Sequence, residues 1–141
     1  MNAYAHSSAY RRTQVEGASS DQILLQLVEA GVRHARQARI LGEQQDLPRA
    51  RENALRTLGI VSELDSSLDR ETGGEIVEQL ESLYAFLLRE IGEANRQNEF
   101  HRFQDVEDIL YTLYQGWKDA VASLKDAGQE ENAAAAMGAR V

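Results

Sequence analysis

The 141-residue chain has no cysteine, a single proline, and only 6% aromatic residues. Without cysteine there is neither a disulfide nor a thiolate metal site. So few aromatics and so little proline argue against an all-β fold, which needs turn residues and β-branched or aromatic runs. Basic residues are also few: 15 Lys and Arg stand against 23 Asp and Glu, a net charge of −8. That balance argues against nucleic acid as a main partner, because phosphate recognition needs a basic face. It also disfavours docking on anionic membranes. No apolar run approaches the roughly 20 residues of a membrane span, so no membrane insertion is expected. The N-terminus lacks the basic-then-apolar pattern of a secretion signal. The expectation is a cytoplasmic protein with one domain and a core of its own.

The residues of common catalytic sites are missing as well. Di-metal carboxylate bundles need Glu-x-x-His pairs on facing helices. None of His6, His34 and His101 has a glutamate three positions earlier. Zinc needs clustered ligands, and these histidines are scattered. There is no Gly-rich phosphate cradle and no Gly-x-Ser-x-Gly elbow. Phosphate-relaying bundles carry a surface histidine followed closely by lysine and glycine. The run His34-Ala35-Arg36-Gln37-Ala38 has neither. The sequence therefore reads as a non-enzyme without cofactor or metal. A phosphotransfer module using His34 and a generic helical adaptor stand as the rival readings.

What is present is helical periodicity. Ser19 is placed to cap a first helix, with Gln22 at capping-box spacing. Leu24, Leu27, Val28, Gly31, Ala35 and Ala38 share one face as far as about Glu43. The small residues at its centre suit a closely packed neighbour. After Gln44-Gln45-Asp46, Pro48 fits the first turn of a second helix. Ala50, Ala54, Leu58, Val61, Leu64 and Leu68 stripe it to about Asp69. Asp65 falls inside that stripe, and a wet position near the bundle end is expected for it. Arg70 to Gly74 reads as a turn, the paired Gly73 and Gly74 permitting positive φ.

A third helix runs from about Glu75 to Arg96. Its apolar arc is wide, centred on Ile76, Leu80, Leu83, Tyr84, Leu87, Ile91 and Ala94. Val77 and Leu88 widen one flank and Phe86 the other. Asn98 is placed to cap a fourth helix, about Glu99 to Leu124, lined by Phe103, Val106, Leu110, Leu113, Tyr114, Trp117 and Val121. Four such helices with short links predict an all-α, antiparallel up-down four-helix bundle. Residues 1–18 read as an N-terminal strap or short helix, 19–124 as the bundle, and 125–141 as a mobile or frayed tail. The Leu80-Leu83-Leu87 and Leu110-Leu113-Trp117 stripes are assigned to the core. Asn95 is expected to cap or to bond a loop carbonyl.

Several motifs occur in a fixed order. They are Asn2-Ala3-Tyr4, Tyr10, Val15, Leu24, Leu27, Gly31, Ala38, Glu63-Leu64 and Leu68-Asp69. Then come Gly73-Gly74-Glu75-Ile76, Leu80, Leu83-Tyr84-x-Phe86, Ala94-Asn95, Val106, Leu110, Leu113 and Trp117. In this order and spacing the chain resembles the flagellin export chaperone family, FliS, across most of residues 2–117. It departs from the pattern at Val28-Glu29-Ala30, at Phe86 and at Ser20.

The resemblance implies a cytoplasmic chaperone that binds the disordered C-terminal segment of flagellin. Such a chaperone prevents early polymerisation and delivers subunits to the flagellar type III export gate. It also implies an N-terminal segment that covers part of the client surface. Tyr4, Tyr10 and Val15 are then the strap anchors, and Phe86 and Tyr111 the candidate client contacts on the bundle flanks. A monomer and a weak homodimer are both compatible with this reading.

Overall fold

A computed structural model describes residues 20–126. Four α-helices follow one another: α1 (Ser20–Glu43), α2 (Leu47–Ser66), α3 (Gly74–Arg96) and α4 (Phe103–Asp126). A 3-10 turn, Phe100–Arg102, precedes α4. The short links reverse the chain each time. α1 packs against α2 and α4, and α2 also packs against α3. The all-α bundle is as the periodicity predicts. The strap with Tyr4, Tyr10 and Val15 and the Ser19 cap lie outside the described residues. Of the tail expected over 125–141, Lys125 and Asp126 belong to α4 and the rest lies outside the described residues.

Two helix ends share one device that composition alone conceals. Gln45 and Asn98 both take left-handed backbone, with φ of 62° and 56°. After α1, the Asp46 amide donates to the Leu41 carbonyl and the Gln45 amide to that of Gly42. After α3, the Glu99 amide donates to Ala94 and the Asn98 amide to Asn95. Both are Schellman stops, which satisfy the last carbonyls of a helix. Asn98 therefore ends α3 and does not cap the next helix. Its side-chain oxygen accepts from Arg51 instead.

α2 stops at Ser66, three residues short of the expected end. The Asp69 carboxylate accepts the backbone amides of Glu71 and Thr72, each at 3.2 Å. Such local bonds compete with helix and set up the turn. Leu68 stays buried beyond the helix end. Asp65 is partly exposed as expected, and it is also paired with Arg70 at 2.9 Å. Gly74 has a φ of +68°, so the glycine pair does supply a left-handed residue. A Cβ on Gly73 would collide with Val77 and with the Asp69 carbonyl.

The core runs the length of the bundle. Val28, Ala35, Ala38, Val61, Leu64, Tyr84, Phe103 and Leu110 are fully buried. Gly31 admits the close approach expected of it: an added Cβ would lie 3.2 Å from Ile60 and 3.3 Å from Leu110. The centre of the α3 arc is shifted from the expected one. Val77, Leu80, Tyr84, Leu87, Ile91 and Ala94 are buried, whereas Ile76 is exposed.

Candidate functional site

The seam between α3 and α4 is the most open in the bundle. α3 rests mainly on α2, and α4 on α1; the two touch each other far less. At the loop end the seam is pinned. Phe100 and Phe103 stack there with ring centroids 6.1 Å apart. Arg102 is held by Glu90, by Glu93 at 3.1 Å and by Glu99 at 2.9 Å. Hydrogen bonding to Glu90, then to Glu99 and Glu93, holds its guanidinium above its ordinary range.

Further along, α4 is tied to α1. Glu107 is buried and accepts from Arg36 at 2.8 Å and Arg39 at 3.1 Å. The flank of α4 that faces α3 is left to form one wall of a groove. Leu83 supplies the α3 wall; Ile109, Leu113 and Trp117 supply the α4 wall, with Asp108, Thr112 and Gly116 at its edge. The groove encloses about 480 Å³. Its lining is apolar apart from one carboxylate and one hydroxyl, and no histidine, lysine or cysteine belongs to it. Such a surface takes up apolar side chains, as in helix-in-groove recognition.

The expected core residues Leu83 and Leu113 are corrected by this geometry. Both are only partly buried, pack against the edge of the core, and line the groove together with Trp117. Leu64, Leu68, Leu80, Tyr84 and Leu110 are core residues as expected. Phe86 is 40% exposed, one turn beyond Leu83 on α3. Tyr111 is 48% exposed. It stands two residues from both Ile109 and Leu113, about 200° round the helix, so it faces away from the groove. Its hydroxyl accepts from the Gln115 side chain at 2.7 Å.

Asn95 does not bond a loop carbonyl. Among the described residues, its buried side-chain oxygen has no hydrogen-bond partner, and neither has the Tyr84 hydroxyl. Burial, helped by the Asp65 charge, pushes the Tyr84 phenol well above its usual range.

His34 has a structural setting. Asn53 donates its amide to the Arg49 carbonyl, so its oxygen is the acceptor for His34 Nδ1 at 2.9 Å. The bond links α1 to α2 and fixes the ring tautomer. Nothing in this arrangement favours a phosphoacceptor.

Sequence reasoning missed Ile109, Thr112, Gly116 and Asp108 in the groove, and Arg36, Arg39 and Glu107 behind it. A signal for the first set exists. Ile109, Leu113 and Gly116 recur at i, i+4 and i+7 beside the core stripe. The buried ion pair has no comparable signal, since each residue alone reads as solvated surface.

The family model described as "Flagellar protein FliS" matches residues 1–124. The flagellar secretion chaperone FliS of Salmonella typhimurium is 30% identical over 119 residues, covering 84% of this chain and 87% of that protein. FliSB of Pseudomonas aeruginosa is 29% identical over 83% of this chain and 96% of its own length. FliS of Bacillus subtilis is 26% identical over 82% and 86%. These relatives are named as chaperones rather than enzymes. Among the described residues, no helix is long and apolar enough to cross a membrane.

Proposed function

The chain belongs to the flagellar protein FliS family, whose curated members are named flagellar secretion chaperones, and from that premise we propose that it is a cytoplasmic export chaperone for flagellin. Its client is the disordered C-terminal segment of unassembled flagellin. Holding that segment blocks early polymerisation and keeps the subunit competent for the flagellar type III export gate.

The observation that carries this reading is the apolar groove between Leu83 on α3 and Ile109, Leu113 and Trp117 on α4. An amphipathic client segment needs such a groove for anchors at i, i+3, i+4 and i+7. Ordering a disordered client has an entropic cost, so contacts beyond the groove are needed for useful affinity. Phe86 on the α3 flank and Tyr111 on the far side of α4 are our candidates for those contacts.

Residues 1–18 act in this proposal as a strap that shields the client surface in the empty state. Tyr4, Tyr10 and Val15 anchor it, and the tail expected from 125 starts after the α4 end at Asp126. Titration of the chain with a peptide from the C-terminal segment of the same organism's flagellin tests the proposal. A saturable micromolar complex is expected; no binding heat at that concentration contradicts it.

A further inference from the structure

We propose that Gly116 is the point where a client helix crosses α4, and that the acidic edge beside it selects a helix carrying basic residues next to its apolar anchors. The proposal rests on the client reading above and adds the specificity of the groove.

Gly116 lies within α4 and lines the groove. A glycine there weakens the helix relative to alanine. At two other helical glycines, Gly31 and Gly42, a close neighbour explains the residue, whereas Gly59 and Gly116 have open space, and of these two only Gly116 lines the groove. At Gly31 a Cβ would press on Ile60 and Leu110, and at Gly42 it would collide with Phe100. At Gly116 an added Cβ meets nothing within 4 Å. The chain's own packing therefore gives no reason for a glycine at this place. Glycine lets another backbone approach where any Cβ would hold it off. With Ile109, Leu113 and Trp117 beside it, that approach is a helix laid along the groove.

Charge states what kind of helix. Asp105, Asp108 and Asp119 are exposed. Their spacing puts them on the same outward face of α4 as Thr112 and Gly116. Among the described residues none of the three has an ion-pair partner; Asp108 accepts only the Gln104 amide, at 3.0 Å. Across the seam, Gln79 and Phe86 flank Leu83 one turn to either side, and neither is cationic. Lys118 is two residues from Gly116, on another face, with its ammonium 6.0 Å from the Tyr114 ring. From Asp105 to Asp119 the charges on this outward edge of α4 are thus all negative, which favours partners with Lys or Arg beside the apolar stripe and penalises acidic ones.

The test is calorimetric titration of the flagellin C-terminal peptide onto the full chain, Gly116→Ala, Gly116→Leu, Asp108→Asn and a Gly59→Leu control. Gly59 also meets nothing within 4 Å, but it lies on α2 away from the groove. The expected result is a several-fold loss for Gly116→Ala and roughly a tenfold loss or more for Gly116→Leu. Melting temperatures should hold or rise, and Gly59→Leu should bind normally. Asp108→Asn should weaken binding at low salt and flatten its salt dependence.

If the unaltered chain does not bind the peptide, the client reading fails and this proposal with it. If the unaltered chain binds and Gly116→Leu binds equally well, the crossing at Gly116 is overturned and the client reading stands. Equal losses in Gly59→Leu also overturn it. So does a Gly116→Leu variant that changes only self-association of the chain and leaves peptide binding intact.

Discussion

Arg39 of α1 reaches Glu107 of α4, its Nη2 lying 3.1 Å from the buried carboxylate, and this contact holds α4 on α1 while its other flank opens toward α3. Hydrogen bonding to Glu107 is the main reason the Arg39 guanidinium sits above its ordinary range. A glutamine at 107 keeps one acceptor oxygen for two guanidinium groups, removes the charge and turns an amide donor toward one of them. Glu107→Gln should therefore lower stability by about 1–3 kcal/mol in denaturant unfolding. Arg36→Gln should cost less, because the Arg36 side chain is 47% exposed and more screened by water. A larger loss from Arg36→Gln than from Glu107→Gln would contradict this ranking.

Two helical glycines should respond to alanine with opposite sign. Gly42 lies against the Phe100 side chain with no room for a Cβ, whereas Gly59 has open space around it. Gly42→Ala forces the α1 end away from the 3-10 turn and should destabilise by about 1–3 kcal/mol. Gly59→Ala gains helix propensity and should stabilise by up to about 1 kcal/mol. Thermal melts of the two variants beside the parent check both signs.

Tyr84 should make the fold sensitive to alkali. In the unfolded chain its phenol ionises near pH 10. Burial raises it in the folded state. Above about pH 10 the unfolded chain releases a proton that the folded chain retains, so stability falls as pH rises. Below that pH both states are protonated and the group adds no pH dependence. Tyr84→Phe should remove this part of the alkaline slope. It should cost little at neutral pH, because the hydroxyl has no hydrogen-bond partner among the described residues. Equal alkaline slopes in parent and variant would contradict the assignment.

Core and groove leucines on the same helix should separate cleanly. Leu110 is fully buried, and Leu110→Ala should cost about 2–5 kcal/mol of stability. Leu113 is partly exposed in the groove. Leu113→Asp should leave most of the melting temperature intact and abolish peptide binding, since it puts a charge where an apolar anchor would sit. Retained affinity in Leu113→Asp would remove the groove from the client surface.

The helices were legible because their stripes are long and regular. Leu24 through Ala38 bury as their spacing dictates, as do Ala50, Ala54, Val61 and Leu64. Leu58 of the expected stripe is only partly buried, and Thr57 beside it is buried instead, its hydroxyl satisfied by the Asn53 carbonyl at 2.8 Å. The ends were harder to read. Gln45 and Asn98 stop helices in left-handed backbone, which glutamine does not advertise and asparagine tolerates. Asn98 was expected to begin a helix because its side chain also suits a cap. The groove was missed at Leu83 and Leu113 because periodicity places a residue on a face without showing whether a neighbouring helix covers it. That depends on how α3 and α4 splay, which the Glu107 and Arg102 ion pairs help to set through contacts distant in sequence.

The central claim is that the α3–α4 groove receives the flagellin C-terminal segment. Parallel titrations of the full chain with peptides from the two ends of flagellin test it most directly. Saturable, micromolar or tighter binding of the C-terminal peptide is expected, lost in Leu113→Asp, with no binding of the N-terminal peptide. Absence of C-terminal binding, or equal affinity in parent and Leu113→Asp, would contradict it.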